Sequence, residues 1–149
     1  MPVSFEQVVD HLRREEPNYQ QAAHLGSEAV PHLMRLIQEG DPNLGSKATY
    51  LAAYINAEQS AEAVELAAIS REPLLRIAAA SSLRRLTHLP EPLAARLLDD
   101  EDVGVRKWTL RTLNEKPIPT LKTKVQNIAQ NDPEIALRQL ARHIVQDMP

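Results

Sequence analysis

The chain contains no cysteine. Disulfides, thiolate metal sites and cysteine nucleophiles are therefore excluded, and a reducing, cytoplasmic setting is expected. Aromatic residues are nearly as scarce, with one phenylalanine, one tryptophan and three tyrosines. The four glycines form no phosphate-binding loop. No apolar run approaches the roughly 18 residues needed to cross a bilayer. The opening MPVSFEQVVDHLRREEPNY carries acids and lacks an apolar core, so neither a signal peptide nor a membrane partner is expected.

What the chain does have is helix-forming composition: alanine, leucine, glutamate, glutamine and arginine dominate. Its 149 residues fit a single domain, 1–149, long enough to bury a core. The net charge is −3, unevenly spread: residues 1–70 carry 4 Lys/Arg against 10 Asp/Glu, and residues 71–149 carry 13 against 10. A uniformly basic nucleic-acid binder is disfavoured, while a local basic face in the second half stays open.

The acid run before the tryptophan, DDEDVGVRKWTLRTL (99–113), belongs to a repeat. DPNLGSKATYLAAY (41–54), SREPLLRIAAASSL (70–83), DEDVGVRKWTLRTL (100–113) and DPEIALRQLARHIV (132–145) align without gaps. Their first column, Asp41, Ser70, Asp100 and Asp132, holds helix N-cap residues throughout, and Pro42 and Pro133 follow as first helical residues do. Six residues after each cap stands a cation: Lys47, Arg76, Arg106, Arg138. The copies lie 29, 30 and 32 residues apart, a period typical of stacked supersecondary units. A shorter helical segment precedes each copy, beginning near residues 27, 60, 90 and 120. The expected units are 27–59, 60–89, 90–116 and 117–149. A degenerate N-terminal pair, 1–26, opens with a Ser4–Gln7 capping box.

These residues resemble the HEAT repeats, particularly the short bacterial kind also found in phycobilin-lyase-like proteins. The likeness spans about residues 27–146 and rests on D-P-x-x-x-V-R-x-x-A-x-x-x-L, matched by Asp100, Val105, Arg106 and Leu113 and by Asp132, Pro133, Leu137, Arg138 and Ala141. The resemblance implies an all-α, right-handed α-solenoid of about four helix pairs plus the N-terminal pair. It also implies that the cations bridge to the capping acids of neighbouring repeats, and that the second helices line the concave side.

The acid run then reads as structure. Asp99 ends one helix, Asp100 caps the next, and Glu101 and Asp102 fill its first turn, where the helix dipole favours carboxylates. The five histidines never adopt the i, i+4 spacing of a helical metal pair, so no metal, cofactor or catalytic constellation is expected. What remains is surface. On a helical wheel, the positions one, four, five and eight after the cation lie opposite the core. They run from apolar (Ala48, Leu51, Ala52, Ile55) through Ile77 and Arg84 to basic (Lys107, Arg111, Arg142).

The function this suggests is a non-enzymatic protein-interaction module. A partner segment with acidic and apolar residues would lie along Leu51, Ile55, Ile77, Arg84, Lys107, Arg111 and Arg142. The alternative from the resemblance is an enzyme or enzyme accessory, bilin-lyase-like or, less favoured, DNA-glycosylase-like. Trp108 falls on the core edge of its helix and is read as packing.

Overall fold

The computed structural model describes residues 2–149; Met1, which heads both the expected domain and its N-terminal pair, lies outside the described residues. Among the described residues there is no strand. Ten α-helices are joined by short turns: α1 (Phe5–Leu12), α2 (Tyr19–Ala22), α3 (Val30–Glu39), α4 (Pro42–Ile55), α5 (Ser60–Ala68), α6 (Pro73–Ser82), α7 (Glu91–Leu98), α8 (Val103–Glu115), α9 (Lys122–Asn131) and α10 (Ile135–Asp147). None of them is long and apolar enough to cross a membrane.

Contacts follow a regular plan. Consecutive helices pack in pairs, α3 on α4, α5 on α6, α7 on α8 and α9 on α10. The second helices α4, α6, α8 and α10 each touch the next, and so do the first helices α3, α5, α7 and α9. Local signals behave as the residues dictate. Ser4 and Gln7 form a reciprocal capping box, and Gly40 ends α3 at φ 80°. Gly45 lets α6 come close: a Cβ there would stand 2.6 Å from Leu75 Cδ2.

The first column of the repeat needs a correction. Asp41 does cap α4, accepting from Leu44 N–H at 2.8 Å. Ser70, Asp100 and Asp132 do not cap: their side chains accept from the N–H two residues on, at 3.1, 2.9 and 3.0 Å, closing a small turn. The helices begin three residues after these residues, with Glu72, Asp102 and Glu134 as N-caps. Asp102 is therefore not a first-turn residue but the cap of α8, accepting from Gly104 and Val105.

The cause is the arginine six residues on. Arg76 Nη1 donates to the carbonyls of Ser70 and Arg71, and Arg106 Nη1 to those of Asp100 and Glu101. Arg138 Nη1 does the same to Asp132 and Pro133. With those carbonyls occupied, the helical ladder starts later, at the carbonyls of Glu72, Asp102 and Glu134. Lys47 instead donates to the Arg14 carbonyl, which leaves the Asp41 carbonyl free to accept from Gly45 N–H.

Two of the arginines also reach the next repeat. Arg76 Nε lies 3.0 Å from Asp100 Oδ2, with only 12% and 11% of the two side chains exposed. Arg106 holds Asp132 through Nε at 2.9 Å and Nη2 at 3.2 Å. Lys47, whose Nζ donates to the Arg14 carbonyl, makes no such rung.

The apolar core falls into two clusters. One runs from Val8 to Val105 and includes Leu93 and Leu97 of α7. The other runs from Ala94 to Met148 and takes Leu98 of α7 with Leu110 and Leu113 of α8.

Asp132→Ala should lower stability by about 2–3 kcal/mol, because it strands a mostly buried guanidinium and a turn N–H. Glu134→Ala, at an exposed cap without a side-chain bond, should cost less than about 0.5 kcal/mol. Urea titrations of both variants check this; equal losses would show that the rung contributes nothing. Deleting residues 1–26 should uncover Ala48, Leu51 and Ala52, all fully buried on α4, against which α1 and α2 pack. The fragment is expected to self-associate in sedimentation runs, and a monomer with unchanged melting would contradict that role.

Candidate functional site

The start of α8 is set tightly against α6. A Cβ on Gly104 would sit 3.3 Å from Ile77 Cδ1, so a small residue at this position lets the two helices approach. Arg106 turns toward Asp132. Lys107 and Arg111, one turn apart, point into solvent, with Trp108 half-buried between them against the larger core cluster. Arg111 Cζ lies 5.1 Å from the centre of the Trp108 ring and Lys107 Nζ lies 6.0 Å away, the range of cation–π attraction. Among the described residues no carboxylate comes within ion-pair distance of Lys107 or Arg111. The face thus combines an aromatic ring with two uncompensated cations.

The other residues expected on this face are placed differently. Leu51 is 0% exposed, and so are Ala48 and Ala52. These three residues of the expected strip are core, on the helix against which α1, α2 and α6 pack. The position four after the cation, taken as opposite the core, is buried in three repeats (Leu51, Ala80, Leu110) because second helices pack flank to flank. Only in α10 is it exposed, as Arg142. Ile55 and Ile77 are half-buried. Arg84 is exposed but not free of acids, with Glu115 Oε1 3.9 Å away. Lys107, Trp108 and Arg111 are what the structure brings together.

A second cluster escaped the sequence reading. All three tyrosines converge: Tyr19 stacks on Tyr54 with ring centres 5.4 Å apart and meets Tyr50 edge-on at 6.1 Å. Arg85 lies over the Tyr54 ring at 3.8 Å and donates to its hydroxyl at 2.8 Å. The i, i+4 spacing of Tyr50 and Tyr54 was the available signal. A cleft of about 610 Å³ opens beside them, lined by Glu15, Glu16, Pro17, Tyr19, Tyr50, Leu74 and Ile77 among others. No group of three or more potential metal ligands gathers among the described residues.

No family model matches the chain, and no curated protein matches it.

Burial, then the neighbouring Tyr50 and Tyr54, push the Tyr19 phenol up to about 12 from 10.0. Because the folded pKa lies above the unfolded one, this contribution to stability is complete below pH 10 and is lost as pH rises through about 12. Tyr19→Phe should flatten the fall in stability over that window. Denaturation series at closely spaced alkaline pH values test this, and identical slopes for both proteins would contradict it.

Proposed function

We propose that the chain is a HEAT-like right-handed α-solenoid that works as a protein-binding scaffold, holding an acidic partner segment on the Trp108 face. The observation that carries this reading is the pair Lys107 and Arg111 flanking a half-buried indole with no carboxylate beside them. Exposed like charges one turn apart on a helix work against folding, so a role outside folding best accounts for them. An acidic side chain paired with either cation, beside an apolar group on the indole, would be steered by charge and anchored by contact. The regular repeat spacing, the arginine rungs and the side-by-side second helices support the solenoid reading.

An aromatic ring between cations is also what single-stranded nucleic acid stacks upon. The net charge of −3 and the acids Glu15 and Glu16 of the neighbouring cleft weigh against it.

Lys107→Glu with Arg111→Glu should leave melting nearly unchanged, since both side chains are exposed. The double variant should lose at least about tenfold of partner affinity, about 1.4 kcal/mol, together with its salt sensitivity. Parallel affinity capture at several salt concentrations, with heparin and duplex DNA as further probes, tests the reading. Undiminished capture by the variant would move the site elsewhere. Retention on heparin at moderate salt, lost in the variant, would favour nucleic acid.

A further inference from the structure

The cleft beside the tyrosines reaches α8 through Ile77. Ile77 lines the cleft and also packs against Gly104, three residues before Lys107 on α8. At the cleft, Leu74 is left 58% exposed, a large aliphatic side chain in water. Glu15 and Glu16 line the same cleft and stand exposed, and among the described residues no cation lies within ion-pair distance of either. Lys47, also in the cleft, already donates to the Arg14 carbonyl at 2.9 Å. From the loop before α2, over α4 and α6 to α8, the surface therefore passes from two acids, over Tyr50, Leu74 and Ile77, to two cations.

We propose that the occupant of this face is a bipolar segment of a partner protein. Its basic end lies against Glu15 and Glu16, its aliphatic centre over Leu74 and Ile77, and its acidic end on Lys107 and Arg111. This rests on the acidic-segment reading above and adds the basic end and the direction. A uniformly acidic segment reaching across the cleft would bring its far end against two carboxylates, a repulsion that selects against it. Neighbouring packed helices lie about 8–10 Å apart, so α4 to α8 alone is about 16–20 Å, with the glutamates outside α4 in the loop before α2. An extended segment therefore needs at least about six residues to reach from one end to the other.

The test uses two fluorescein-labelled synthetic peptides and anisotropy titration. The first is Lys-Lys-Ala-Leu-Ala-Leu-Ala-Glu-Glu; in the second the two lysines are replaced by glutamates. Wild-type protein should bind the first at least about tenfold more tightly. Glu15→Lys with Glu16→Lys should reverse the preference, and Lys107→Glu with Arg111→Glu should abolish binding of both. Equal affinity of the two peptides, or a preference unmoved by the Glu15 and Glu16 changes, would overturn the bipolar assignment and leave the acidic-segment reading intact. Failure of both peptides to bind wild type, or binding indifferent to the Lys107 and Arg111 changes, would overturn both.

Discussion

Arg76 and Arg106 each do two structural jobs with one planar group. Its fork of five donors lets Arg76 and Arg106 hold two carbonyls of their own repeat and a carboxylate of the next. The carbonyl contacts decide where the second helix starts, and the carboxylate contact ties that helix to its successor. Because Arg106 is turned inward to Asp132, the residues after it are fixed around the helix: Lys107 outward, Trp108 at the edge of the core. The candidate site is thus positioned by a residue that takes no part in it. A lysine cannot substitute in this arrangement. Lys47 has a single nitrogen to offer and spends it on one carbonyl, and its helix starts in a different register.

Most of the helices were legible in the sequence because apolar spacing, turn-forming residues and cations recur in one register. Three of the four second-helix starts were misplaced for a reason that lies outside local propensity. Asp41-Pro42 and Asp132-Pro133 are the same dipeptide, yet helix begins at Pro42 in one case and at Ile135 in the other. What differs is the side chain six residues downstream. A cap preference describes one residue and its own turn, and the competition of a guanidinium for the carbonyls does not enter it.

The site was half legible for a related reason. A helical wheel gives the faces of one helix but not their neighbours. Leu51 and Arg142 occupy the same angular position, and one is core while the other meets solvent. Charge at Lys107 and Arg111 was readable because an uncompensated cation seldom has a structural use; the tyrosine cluster was not, because Tyr19 comes from a separate helix, α2.

The division of the core into two clusters at α7 and α8 gives the molecule a seam. Trp108 belongs to the N-terminal side of that seam, while Leu110 and Leu113 of its own helix belong to the other. Parts of a protein that share few apolar contacts open with different free energies. Because α7 and α8 each contribute to both clusters, a change in how either helix sits is felt on both sides of the seam.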